Sequence, residues 1–152
     1  MRSLLDEFDQ LIDKAELSLS VLSEDEVIGK PEGKWSKKEI LGHLIDSAVN
    51  NHQRFVQAQV SAEIRLAAYD QAAWVRVQNY QSEPWLSLVR LWCSYNRHLL
   101  HLLRSLPSES LQSMCFIGDS LPVTLESLIR DYVRHLKHHI AQLLPSSGQL
   151  PG

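Results

Sequence analysis

With 152 residues the chain has room for one domain with its own core, and its 44% hydrophobic and 22% charged residues are ordinary for a globular protein. Its 15 basic and 18 acidic residues give a net charge of −3, which excludes a general electrostatic pull toward nucleic acid or an anionic membrane. No apolar run nears the ~20 residues of a membrane span, and Cys93 and Cys115 lack the paired spacing of a thiolate metal site or redox motif.

Leu4, Leu5, Phe8, Leu11, Ile12, Ala15 and Leu22 recur at three- and four-residue intervals and predict a first helix over 3–22. The acidic residues throughout this stretch do not fit a signal peptide, so a cytoplasmic protein with reduced thiols is expected. A short acidic linker and Gly33 follow. Ser36-Lys37-Lys38-Glu39 then has the form of a capping box, with Trp35 just outside it, and predicts a second helix from Lys37 to Gln59. Residues 60–82 hold Tyr69, Trp74 and Tyr80 among small and polar residues and read as a connection with some helical turns.

Pro84 suits the first turn of a third helix. Its stripe runs through Trp85, Leu88, Val89, Trp92, Leu99, Leu103 and Leu106 and stops at Pro107. Residues 107–123, with Gly118-Asp119-Ser120 and Pro122, read as a hairpin or a loop. Thr124 suits the N-cap of a fourth helix that ends before Pro145. Cys93 and the tryptophans Trp74, Trp85 and Trp92 read as core. No internal repeat or domain linker is visible, and four amphipathic helices with moderate loops argue for a bundle over 1–152.

Seven histidines are many for this length, and their placement is informative. On the fourth helix Leu125, Ile129, Tyr132, Leu136, Ile140 and Leu143 share one side, and Arg130, Arg134 and Lys137 the other. His139 and His135 fall on the flank of the apolar stripe, while His138 points toward the charged side. Two imidazoles at i and i+4 can converge on one ion about 2.0–2.1 Å from each nitrogen, and imidazole suits zinc, nickel, copper or iron better than magnesium or calcium. The same spacing also fits boundary histidines that hydrogen-bond locally. A third ligand would come from the second helix, which offers His43 and His52. His43 shares a face with Ser47, Asn50 and Arg54, and a polar stripe can line a cleft or face water. Asp46 could orient a ligating imidazole or remain a solvated carboxylate. His98 and His101 read as surface residues.

The run Trp35-Ser36-Lys37-Lys38-Glu39-Ile40-Leu41-Gly42-His43-Leu44-Ile45-Asp46 resembles the second-helix signature of the DinB/YfiT-like family. Tyr132-Val133-Arg134-His135-Leu136-Lys137-His138-His139 resembles that family's last-helix motif, and Tyr69-Asp70-Gln71-Ala72-Ala73-Trp74 is similar to a stretch of its YfiT-type branch. The resemblance spans nearly the whole chain in order. It implies an all-α four-helix bundle of up-down-down-up topology, with a long crossover between helices 2 and 3. It also implies metal ligands at His43, His135 and His139, nickel or zinc as the ion, and a homodimer. Ten residues follow Gln142, so a terminal extension that completes a pocket in other members is expected to be missing.

Three neutral nitrogen ligands leave coordination positions open, as in catalytic sites. An ion so held would lower the pKa of bound water to about 7 or stabilise a bound thiolate. The first route is a metal-dependent hydrolase. The second, which the resemblance implies for some members, is a transferase using a low-molecular-weight thiol. No HExxH motif, paired carboxylates or nucleophile elbow accompanies the histidines, and Asp46 and Asp70 are only nominal bases. Two other readings stand beside the enzyme: a metal-binding protein whose ion stabilises the bundle, and a metal-free bundle that binds an apolar ligand or partner helix.

Overall fold

The structure, a computed structural model, describes residues 1–144. The elements in chain order are α1 (Arg2–Ser20), α2 (Glu24–Ile28), α3 (Lys37–Val60), β1 (Glu63–Leu66), α4 (Gln71–Gln78), α5 (Trp85–Arg104), β2 (Met114–Ile117), β3 (Val123–Thr124) and α6 (Leu125–Leu143). The four long helices α1, α3, α5 and α6 pack as the bundle that the apolar stripes predict. Phe8, Ile12, Leu44, Phe55, Trp85, Trp92, Leu99, Ile129 and Leu136 are buried at its centre. No helix of the described residues is long and apolar enough to cross a membrane. Pro145, expected to stop the last helix, and the C-terminal stretch beyond it lie outside the described residues.

Caps fix where the helices begin. Ser36 and Glu39 form the expected reciprocal capping box at α3, and Thr124 Oγ1 accepts from the Ser127 amide at α6. Two short helices add to the four expected. Residues read as an acidic linker form α2 behind a second capping box, Ser23 with Glu26. The helical turns expected in 60–82 become α4, capped by Asp70, and the 3₁₀ turn Tyr80–Ser82.

Contacts between helix ends give the relative directions. Arg104, at the end of α5, lies 2.8 Å from Asp9 near the start of α1. At the other end, the Trp85 indole donates to the Leu19 carbonyl at 2.8 Å. Lys38, near the start of α3, is buried and donates to the Glu83 carbonyl just before α5 (2.7 Å), so α3 and α5 begin at the same end of the bundle.

The mostly helical fold also holds a small sheet of order β1-β2-β3. β2 and β3 form the hairpin that was one of two expectations for 107–123, and β1 pairs with β2 in parallel, Ile64 opposite Cys115. The sheet follows the C-terminus of α3 and feeds the N-terminus of α6. The N-terminal half of α3 and the C-terminal half of α6, which carry His43, His135 and His139, meet away from it.

Candidate metal centre

The α3 face carrying His43 is polar yet buried: His43 is 1% exposed, Ser47 5% and Asn51 7%. Of the stripe read from the sequence, Ser47 is buried and Asn50 and Arg54 are half-buried, so this face lines a cleft rather than facing water. It faces α6, whose rotation is set by Tyr132, a buried residue whose hydroxyl donates to Asn96 Oδ1 on α5 at 2.6 Å. Because His135 is three residues beyond Tyr132 and His139 one turn further, this bond aims both imidazoles at α3.

One ring nitrogen from each of His43, His135 and His139 lies within 4.8 Å of the others. The ring centroids are 5.1 Å apart for His43 with either partner and 4.5 Å for His135 with His139, at interplanar angles of 72–78°. Nε2 of His43 is 3.1 Å from Nε2 of His135. Two nitrogens each about 2.0–2.1 Å from one ion would be about 3.0–3.4 Å apart, so the spacing fits a shared cation. Burial, reinforced by the neighbouring rings, pulls His43 and His135 down to about 4. His139 is lowered too by burial, against a hydrogen bond to Gln142 that raises it. All three are thus neutral at pH 7, the form that ligates metal. The Nδ1 atoms of His43 and His135 are buried without a partner. At His139, Nδ1 lies 2.9 Å from Gln142 Oε1, which holds the proton there and leaves Nε2 to ligate.

The other histidines fall elsewhere. His138 is exposed on α6, and His98 and His101 are exposed on α5. His52, the other α3 histidine, has its Nδ1 2.9 Å from the Tyr95 hydroxyl. Asp46 is not a solvated carboxylate: it is 2% exposed, with Oδ1 accepting from Tyr80 (2.6 Å) and Gln78 (2.7 Å) and Oδ2 buried without a partner. Burial raises its pKa and the two hydrogen bonds oppose the rise. It does not orient His43, whose Nδ1 stays unpartnered. Asp70 is an exposed N-cap that accepts from the Ala73 amide at 2.9 Å. Trp85 and Trp92 are core, while Trp74 is only partly buried against Tyr69.

Two cavities flank the three rings. One, of about 300 Å³, is bounded by His135, Ser47, Asn51, Arg54 and Tyr69. The other, of about 590 Å³, is bounded by His139, Trp35, Ile40 and Gln142. The Trp35 ring lies 5.1 Å from His43 at 39° and covers it. Sequence reasoning noticed Trp35 only as part of a motif and passed over Gln142. The i, i+3 spacing of His139 and Gln142 was the available signal. Neutral imidazoles beside two openings can bind a cation and still admit a small molecule.

The chain is 28% identical over 121 residues to a Bacillus subtilis protein named "Putative metal-dependent hydrolase YfiT", covering 78% of this chain and 67% of that protein. A Halalkalibacterium halodurans protein of the same general name is 25% identical over 112 residues, covering 74% and 65% respectively. The chain thus spans about two thirds of the length of these relatives. The solved structure of YfiT from Bacillus subtilis, described as having an unusual four-helix bundle topology, superimposes with a TM-score of 0.82 at 22% identity, over 93% of this chain and 82% of that one. A mycothiol-dependent maleylpyruvate isomerase shares the fold with a TM-score of 0.75 at 13% identity, over 93% of this chain and 60% of that one. The DinB superfamily model matches residues 4–143, and the chain belongs to that superfamily.

Proposed function

We propose that this chain is a metal-dependent enzyme that holds one divalent transition-metal ion, nickel or zinc, on His43, His135 and His139. It would act on a small molecule, either transferring a group with a low-molecular-weight thiol or hydrolysing a bond. The observation that carries the reading is the convergence of three neutral imidazole nitrogens within 4.8 Å of one another. The names of the relatives, a metal-dependent hydrolase and a mycothiol-dependent isomerase, support its two arms.

Bound there, such an ion supplies a Lewis acid that lowers the pKa of a ligating water or thiol. The chain's own residues do the rest. Trp35 keeps water from the His43 ring, and Gln142 holds the proton on His139 Nδ1. Burial pushes the Tyr69 phenol up to about 12, so it keeps its proton at neutral pH and can donate into the His135-side cavity. Asp46 and Asp70 are committed to Tyr80 and to the α4 cap, and neither is placed as a base. This favours the thiol-dependent arm, in which the nucleophile arrives with the thiol.

The test is metal content by mass spectrometry of the untagged chain, beside a His43→Ala, His135→Ala, His139→Ala variant. About one equivalent of nickel or zinc, lost in the variant, is expected. Little metal in either protein after reconstitution with both ions overturns the reading. The ligands come from two helices, which also favours a second reading in which the ion only ties α3 to α6. That reading predicts a metal-dependent rise in Tm with no turnover of thiol or ester substrates. A homodimer rests on the family resemblance, and sedimentation checks it.

A further inference from the structure

Residues 43, 47, 51 and 54 follow one face of α3, at intervals of four, four and three, so Arg54 ends the polar stripe that His43 begins. Arg54 is the one arginine of the chain that is not exposed. Its guanidinium makes a single long contact, 3.4 Å to Asn51 Oδ1, and pairs with no carboxylate among the described residues. Lys38, the one fully buried cation among the described residues, by contrast pairs with Glu24 at 2.6 Å and with the carbonyl of Glu83. Burial depresses the Arg54 pKa, so the site is one where a cation is poorly solvated. A shielded charge without a counter-charge is unfavourable in the free protein, and such groups persist where a ligand supplies the missing partner. The Tyr69 hydroxyl, in the same cavity wall, has no hydrogen-bond partner among the described residues. Asp131 also borders the cavity but is paired with Arg134 at 2.8 Å.

We infer that the cavity of about 300 Å³ between His135 and Arg54 is an anion-recognition site, in which Arg54 receives the carboxylate of a small organic acid whose other end lies toward His135. This extends the reading of the histidines as a metal site and depends on it only for which end of the acid reacts. A carboxylate fits the observations because the guanidinium fork matches two coplanar oxygens. The apolar side chains of Ile117 and Leu128 in the cavity wall suit a carbon skeleton.

The test is calorimetric titration of succinate, with succinamide as the neutral isostere and inorganic phosphate as the competing anion. The proteins are metal-free and nickel-loaded wild type, Arg54→Met, Arg54→Lys and the triple histidine variant. Succinate should bind wild type at least about tenfold tighter than either alternative, Arg54→Met should lose that margin, and Arg54→Lys should restore part of it. The triple histidine variant should keep the Arg54-dependent part. The Tm of metal-free Arg54→Met should match or exceed that of wild type, whereas a merely structural arginine would lower it. Equal binding of succinamide, unchanged binding in Arg54→Met, a fall in its Tm or no binding of succinate overturns the inference. Tighter phosphate binding overturns the carboxylate assignment. Should wild type hold no metal while Arg54→Met still loses succinate, the metal reading falls and the Arg54 site stands.

Discussion

The ring of Tyr80 occupies the space that a side chain at Gly42 would need, and its hydroxyl donates to Asp46 Oδ1 at 2.6 Å. One aromatic side chain from the crossover thus grips α3 on both sides of His43. Glycine inside a helix is about 1 kcal/mol less favourable than alanine. At residue 42 that deficit lets the Tyr80 ring pack directly on the α3 backbone.

Gly42→Ala should therefore destabilise the fold, although alanine is the better helix former. A Cβ there overlaps a buried ring that has no free end to swing away, and overpacking of this kind costs about 1–3 kcal/mol. Thermal unfolding of the metal-free protein reads the effect. A Tm equal to or above that of wild type would mean that Tyr80 moves aside freely.

Tyr80→Phe keeps the ring and removes only the hydroxyl, leaving Asp46 with Gln78 as its remaining donor. Leaving a buried acceptor short of a partner costs about 1–3 kcal/mol. The Asp46 pKa is already raised by burial, so the folded state binds its proton more readily than the unfolded state does. Stability from this group falls as pH rises through that interval, and the variant, with one stabilising donor fewer, should fall further. The difference in Tm between wild type and variant should be larger at pH 7 than at pH 4. A pH-independent difference would place the loss in packing.

The long helices were legible because their signals are local. The apolar spacing of α1, α5 and α6 and the Ser36–Glu39 box lie within a few residues of the structure they specify. The Ser23–Glu26 box of α2 was equally local, and its four residues match the pattern that was read correctly at Ser36. The β1–β2 pairing was not legible, since Glu63–Leu66 and Met114–Ile117 meet only after α5 has folded between them. The direction of the His43 stripe was undecidable for the same reason. Whether Ser47, Asn50 and Arg54 face water or a cleft depends on the rotation of α6, which the Tyr132–Asn96 bond sets from another helix. The separation of His135 and His139 from His138 needed only the 100° step of the helix, and it was readable.

The metal-free protein should lose stability in mild acid. Folding lowers His43 and His135 from the ordinary 6.5 to about 4, so between those values the unfolded chain binds more protons than the folded one. Stability is then fully present above pH 6.5, declines as pH falls toward 4 and levels off below. A His43→Ala, His135→Ala double variant should show a flatter decline over that window. Parallel Tm curves for the two proteins would assign the acid sensitivity to other groups.

Gln142→Leu tests whether the exposed rim of the site tunes its centre. The Gln142 amide bridges two rings of α6, its oxygen 2.9 Å from His139 Nδ1 and its nitrogen 3.1 Å from His138 Nε2. Leucine has similar bulk and removes both hydrogen bonds, so the His139 proton is free to move to Nε2, the nitrogen that the geometry leaves for the ion. Loss of such an orienting partner weakens metal binding about 10–100-fold, and the exposure of Gln142 argues for the lower end. Competition with a chelating dye for nickel or zinc measures the change, while an unaltered Tm of the metal-free variant separates it from unfolding. Affinity within twofold of wild type would mean that packing against His135 alone sets the orientation of His139.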